Sequence, residues 1–393
     1  MTSLSEDVKK KLLEQASNAP AYVYLSENIR RRYETLRSAL PRNFAIQYSL
    51  KANPHPRIAS LMRSLGAGID VASMNEAVLA VRSEFAPERV TFVGPGKSIA
   101  ELETIVENRF VAVVESLEEA VILDDLAKSR GRKQDFLVRV NPDFFINHLG
   151  REMNLPASHF GVDASLVPAF LDRLAGRKNI NLLGFHFFPQ SQFLDHRYIL
   201  KNFEYGLDFS VRMARRYSFP LEMIDLGGGF GVPYFDGQME LDLSALNVGL
   251  QKLVTQFSTD VSTTRLLVES GRHLVADCGY YLTKVLYKKV SREKNYAIVD
   301  GGIHHHLAAT GIGQPVRRNY PVLLLNSDSD RKMESVTIAG ATCYSADVLA
   351  SELELPSLKP GDVICIRCSG AYGFSFSPHN FLSRGAPAEI FVG

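Results

Sequence analysis

Gln47-Tyr48-Ser49-Leu50-Lys51-Ala52-Asn53-Pro54 is an apolar stretch that delivers one lysine and then breaks. Phe44, Ile46 and Tyr48 alternate with smaller or polar partners, and Asn53-Pro54 ends the run, so Lys51 falls at a strand's C-terminal end. A lysine there is costly to bury as a cation. Its ammonium either reaches water or a carboxylate, or its amine is partly desolvated and becomes the neutral nucleophile that Schiff-base chemistry needs.

Two further groups have chemical types in useful spacing. Gly227-Gly228-Gly229 follows an apolar run and is either a tight turn or a loop whose backbone N–H groups approach a phosphate. Glu269-Ser270-Gly271-Arg272 ends another apolar run with a carboxylate, which is a surface ion pair or a buried acid awaiting a cationic partner. Other patterns carry less. Val93-Gly94-Pro95-Gly96-Lys97-Ser98 has Thr91 where a Walker loop needs its first glycine, so it is set aside. Cys365-Ile366-Arg367-Cys368 on a strand would point its sulfurs to opposite faces and reads as buried core, and His304-His305-His306 reads as a loop or rim, so no metal is expected.

The elements that must position these groups follow a repeating order. After an N-capped helix beginning at Ser5, residues 21–25 read as a strand and 27–39 as a helix. Strands then end near Lys51 and recur at 68–72, 90–94, 112–115, 136–141, 182–188, 223–227 and 266–269, with helical spacing between most of them. Eight such strands predict a (β/α)₈ TIM barrel, whose functional residues gather at strand C-terminal ends; Lys51, Asp70, Glu115, Arg139, Asn141, His186, Gly227 and Glu269 all fall there. Beyond about residue 272 strands follow one another at 281–290, 296–299, 322–325, 335–339, 362–367 and 388–391, which predicts a C-terminal antiparallel β-barrel or sandwich domain. The expected division is a barrel over 29–261 and a discontinuous β domain over 1–28 and 262–393.

Of 393 residues, 46% are hydrophobic, enough for a large core, and Lys plus Arg number 44 against 43 Asp plus Glu. That balance gives no field to attract nucleic acid or an anionic membrane and points to a small-molecule partner. No stretch is long and apolar enough to span a bilayer, and the N-terminus lacks a signal-peptide core. Four cysteines, unevenly placed, suggest a reducing cytoplasm rather than a disulfide scaffold.

Six motifs in order resemble the fold-type III pyridoxal phosphate (PLP) decarboxylases, the family of diaminopimelate and ornithine decarboxylases with an alanine-racemase-like barrel. They are Tyr48 to Asn53, Ile69-Asp70-Val71-Ala72-Ser73, Asp225 to Gly229, Glu269 to Arg272, Gly340-Ala341-Thr342-Cys343 and Gly370-Ala371-Tyr372. The resemblance implies that Lys51 holds PLP as a Schiff base. It also implies that Gly227, Gly228, Gly229, Ser191, the Arg272 backbone and Tyr372 bind the phosphate, and that Glu269 keeps the ring nitrogen protonated. Asp70, His186, Phe188, Ser270 and Gly271 complete the implied cofactor site. Arg272, Cys343, Tyr344, Asp347 and Tyr372 are implied substrate contacts, with Cys343 delivering a proton across a homodimer interface. Three departures stand out. Phe188 occupies the place of the family's ring-stacking histidine, two residues after His186. Tyr344 replaces the acid that meets a distal amine. Leu307-Ala308-Ala309-Thr310 replaces the arginine-proline and tyrosine of the diaminopimelate enzymes.

The blocks Asp300 to Ala309 and Arg317 to Val322 are closer to a branch that includes the butirosin-pathway decarboxylase of a glutamyl carrier protein. The expected activity is therefore decarboxylation of an amino acid or derivative, tethered as an aminoacyl carrier-protein thioester, in a biosynthetic pathway. A free diamino acid or a siderophore intermediate is the alternative substrate. A racemase is disfavoured by Glu269, where racemases carry arginine. A non-catalytic regulator of the antizyme-inhibitor kind is disfavoured because Lys51, the glycines, Glu269 and Cys343 are all present. Arg317, Arg318 and Lys97 are the cations considered for a carrier or its phosphopantetheine arm.

Overall fold

A computed structural model describes residues 4–146, 152–154, 157–188, 190–314, 316–326 and 330–393. The chain forms two compact units, one comprising 33–232 and 240–271, the other 1–32, 233–239 and 272–393.

The first unit is a closed parallel barrel. Its strands are Phe44–Ser49, Gly68–Val71, Val90–Phe92, Val111–Val114, Gln134–Asn141, Ile180–Phe187, Met223–Asp225 and Arg265–Ser270. Each pairs with the next, and Arg265–Ser270 returns to Phe44–Ser49 in the register Leu266↔Phe44 to Ser270↔Tyr48. All eight lie within a few residues of the places their apolar runs mark. Closure needs an apolar interior, supplied in part by a buried cluster of Val93, Val111, Val113, Leu137, Leu183, Met223 and Leu267. Local chemistry starts the helices between strands: Ser73, Ser98 and Ser116 each accept an N–H bond at an N-cap, and Ser98 completes a capping box with Glu101.

The last barrel strand runs to Ser270, so the boundary expected at 261/262 lies instead at 271/272. The expected boundary at 28/29 moves to 32/33, and 233–239 joins the second unit. The cause is the eighth strand, which can bury its two faces only inside the barrel.

The second unit is built on a sheet in the order Val322–Leu324, Val363–Ile366, Gly279–Ser291, Lys294–Val299, Met333–Ala339, Val348–Pro356, with Ala21–Leu25 joining through Gly279–Ser291 and Ala388–Val392. The sheet is mixed rather than antiparallel, because Ala21–Leu25 pairs parallel with Ala388–Val392 and Lys294–Val299 parallel with Met333–Ala339. Its core gathers Leu12 of the first helix, Val23, Leu25, Tyr280, Leu282, Leu325, Val363 and Cys365. One strand, Val348–Pro356, is additional to those expected. Its Leu, Ala and Glu content favours helix, and only pairing with Met333–Ala339 makes it extended.

Candidate active site

Five polar side chains converge where barrel strands end. The first strand stops at Ser49 and a single 3₁₀ turn, Leu50–Ala52, carries Lys51 beyond it. Lys51 Nζ lies 3.0 Å from Asp70 Oδ2 at the end of the neighbouring strand; the lysine side chain is 36% exposed and the aspartate 1%. Burial raises the Asp70 carboxyl, helped by the charge of Glu269 and opposed by Lys51. The amine thus reaches open space while its counter-ion is fixed in the barrel.

Opposite in sequence, His186 Nε2 and Glu269 Oε1 form a buried hydrogen bond of 2.9 Å. Burial alone would raise the Glu269 carboxyl. His186, Lys51 and Arg139 overcome it and bring Glu269 down to about 2, so it is ionised throughout the neutral range. Asp225, on the strand between them, behaves oppositely: burial and then the Glu269 charge push it up to about 7. His186, Asp225 and Glu269 bring ligand-type atoms within 4.8 Å of one another. Asp225 was not among the site residues expected from sequence. Its signal was position, since it ends the seventh strand two residues before the glycines, as Glu269 ends the eighth.

The glycine loop is crowded. Gly227 has φ +67°, and a Cβ there would meet the Phe187 carbonyl oxygen at 2.0 Å; at Gly228 it would meet the Glu269 carbonyl oxygen at 2.1 Å. At Gly229 it would meet Phe193 at 2.9 Å and the Gln190 carbonyl at 3.0 Å. The loop bearing exposed Ser191 runs beside these glycines through a Phe193 N–H bond to the Gly229 carbonyl at 2.7 Å. Phe188 follows the sixth strand, with Lys51 Nζ 5.6 Å from its ring centroid, while Phe187 turns away onto Tyr205 and Phe209. Alternation therefore puts Phe188 on the lysine's side, with His186. Gly271 lies against the lysine turn, where a Cβ would come 2.8 Å from that of Ala52.

Within the second unit, Arg272 Nη1 donates to the Tyr234 hydroxyl at 3.1 Å, and its guanidinium sits 4.7 Å from the Tyr372 ring centroid. Tyr372 has φ +60°, a left-handed conformation that costs a bulky residue about 1–3 kcal/mol and is characteristic of functional positions. Cys343 is free and exposed, and Tyr344 beside it is 47% exposed.

The buried Asp347 carboxylate accepts from Ile303 N at 2.6 Å, Thr342 N at 2.9 Å and Thr342 Oγ1 at 2.6 Å, and so holds the Cys343 loop. Two expectations are corrected. Lys97 is no surface cation. Its side chain is 1% exposed, pairs with Glu119 at 2.7 Å and donates to the Gly94 and Val113 carbonyls. The three histidines lie in a loop, one of the two places expected, but buried rather than at a rim: His305 Nδ1 meets Tyr281 Oη at 3.0 Å, and His306 Nε2 meets Ser369 Oγ at 2.9 Å while its Nδ1 caps Leu307–Thr310. Cys365 and Cys368 are buried, as their spacing suggests.

The residues present fit a phosphorylated pyridine aldehyde. An ionised buried carboxylate suits a ring N–H, and an accessible amine suits the aldehyde. The buried Ser270 Oγ lacks a hydrogen-bond partner among the described residues, and the glycine loop is stripped of side chains.

The sequence model of the family described as "Pyridoxal-dependent decarboxylase, pyridoxal binding domain" matches residues 26–276. The chain is 38% identical over 378 residues to the L-glutamyl-[BtrI acyl-carrier protein] decarboxylase of Niallia circulans, covering 94% of this chain and 88% of that one. It is 28% identical over 402 residues to the 2-[(L-alanin-3-ylcarbamoyl)methyl]-2-hydroxybutanedioate decarboxylase of Staphylococcus aureus, covering 98% and 97%. Among solved structures, diaminopimelate decarboxylase from Methanocaldococcus jannaschii superposes with a TM-score of 0.89 at 26% identity, covering 98% of this chain and 89% of that one.

Proposed function

Because the chain belongs to the pyridoxal-dependent decarboxylases and is a PLP-dependent amino acid decarboxylase, we propose that its substrate is an amino acid conjugated to a larger group, foremost an aminoacyl thioester on a carrier protein. The observation that carries this reading is the lack of charge at the two positions that would grip the far end of a free diamino acid. Tyr344 is half exposed and packs its ring edge-on to Phe381, with centroids 6.1 Å apart. Ala308 stands on the turn Leu307–Thr310 where an arginine would be needed. The Asp347 carboxylate is engaged by three donors of its own unit, Ile303 N, Thr342 N and Thr342 Oγ1. A distal charge buried there would be unpaired, at a cost of several kcal/mol. The relatives support the reading, since the one at 38% identity acts on a carrier-bound glutamyl group and the other on an alanyl group joined to a hydroxybutanedioate.

PLP, when bound, supplies the electron sink that lets the Cα–carboxylate bond break. In our reading Lys51 holds the cofactor covalently, with Asp70 fixing the direction of the side chain. Backbone N–H groups of Gly227 to Gly229, with Ser191, Arg272 and Tyr372, hold the phosphate end, and Phe188 covers the ring. Glu269, kept ionised by His186, holds a proton at the ring nitrogen. Cys343 delivers the proton that replaces the carboxylate. Its exposure, with Tyr344, Phe376, Phe381 and Leu382 also exposed on the same unit, supports a homodimer in which this apolar surface is covered and Cys343 serves the partner's site. The enzyme would act in a cytoplasmic biosynthetic pathway.

The test compares kcat/KM for carbon dioxide release from free diaminopimelate, ornithine and lysine with that from aminoacyl thioesters and amides. At least tenfold preference for the conjugates is expected, because an unpaired buried charge costs several kcal/mol. Equal or better turnover of the free diamino acids would refute the proposal.

A further inference from the structure

The second unit contains a cavity of about 780 Å³ whose lining includes Arg317, Arg318, Arg367, Tyr234, Phe235 and Tyr320. Sites that enclose small organic ligands span about 300–1,000 Å³. The charge is one-sided: the described lining residues include three arginines and a single acidic residue, Asp236. The walls are built rather than being a chance meeting of surface side chains. Tyr320 packs edge-on to Tyr234 and Phe235, with centroids 5.1 and 6.3 Å apart. Asn319 exchanges hydrogen bonds of 2.7 and 2.9 Å with the Ser351 backbone, and Arg367 N donates to the Pro321 carbonyl at 2.9 Å.

Both exposed arginines are oriented by a neighbour. The Arg318 guanidinium lies 5.5 Å from the Phe235 ring centroid, and Arg317 donates to the Val348 carbonyl. A planar guanidinium held against a ring keeps its edge N–H groups for a two-point bond to a carboxylate or phosphate. Apolar Pro321, Val322, Leu323 and Leu353 complete the lining, which suits a carbon chain that carries the anion. Tyr234 also ties the cavity to the cofactor motif, since its hydroxyl accepts from Arg272.

We propose that this cavity binds the oxyanion-bearing far end of the substrate, a phosphate ester or a polycarboxylate on an extended chain. The inference rests on the reading of the substrate as a conjugate and adds the chemistry of the group conjugated. It assigns Arg317 and Arg318 as specificity determinants remote from the reacting bond.

The experiment titrates the holoenzyme by calorimetry with phosphopantetheine and, separately, with citrate, so that the arm that binds identifies the source of the anion. Binding of either probe is expected, weakened at least about tenfold by Arg317→Met with Arg318→Met, since charged hydrogen bonds are the strong class. Arg318→Lys should retain part of the affinity, and the double substitution should raise KM for the conjugate that carries the binding anion. Three results each overturn the inference: neither probe binds, the double substitution leaves affinity within twofold, or KM for the conjugate does not move. Failure of the conjugate reading is a different result, seen in unsubstituted enzyme as equal kcat/KM for free diamino acids.

Discussion

Asp225 offers a prediction whose size follows from its surroundings. The carboxyl is fully buried, accepts from Gly227 N at 2.9 Å through Oδ1, and has no hydrogen-bond partner at Oδ2 among the described residues. Burial, then Glu269, moves its ionisation from 3.8 to about 7. Between those values the folded chain holds a proton that the unfolded chain has lost, so stability falls as pH rises and the penalty is complete above 7. A carboxyl displaced that far costs about 4 kcal/mol above pH 7 and about 1.5 kcal/mol at pH 5. Asp225→Asn keeps the acceptor for Gly227 and cannot ionise, so its stability relative to wild type should rise by about 2–3 kcal/mol from pH 5 to pH 8. Glu269 does not interfere. Its depressed carboxyl contributes stability that is present above 4.5 and lost as pH falls towards 2, outside that window. The assay is urea unfolding of the apoprotein followed by far-ultraviolet circular dichroism, since the chain has no tryptophan. Parallel stability curves for the two proteins from pH 5 to pH 8 would refute the account.

Other predictions test the remaining assignments. Borohydride treatment of the holoenzyme should leave the pyridoxyl label on Lys51, and peptide mapping to another lysine would reject that role. Phe188→Ala should weaken cofactor retention by about 0.5–1.5 kcal/mol, the worth of an aromatic stacking contact, as read from equilibrium dialysis of the holoenzyme against PLP-free buffer; wild-type retention would count against it. Lys97→Met should cost about 3–5 kcal/mol by stranding buried Glu119, and adding Glu119→Leu should recover much of the loss; an exposed cation would show neither effect in urea unfolding. Inactive Lys51→Ala and Cys343→Ala chains, mixed and reassociated, should regain activity through heterodimers with one intact site, and their continued inactivity would exclude a shared site.

What could be read from the sequence was what strand ends expose. Lys51 and Glu269 are polar residues terminating apolar runs, and a barrel needs no other information to send both to the same end. Their partnerships were not legible, because they depend on which strands become neighbours. His186 meets Glu269 across the strand that carries Asp225, a relation that exists only after closure. Lys97 illustrates the same limit in reverse: in a run of Gly, Pro and Ser it has the look of an exposed loop, yet Glu119 and the Val113 carbonyl, both distant in sequence, and the nearby Gly94 carbonyl draw it inside. The glycines teach a subtler point. Three in a row exceed what one turn needs, which favours phosphate, but Gly227, Gly228 and Gly229 each abut a neighbouring strand or loop so closely that a Cβ has no room. Steric demand alone would retain all three. The weight of the proposed phosphate role therefore moves to a residue beside the loop that close packing does not require, exposed Ser191.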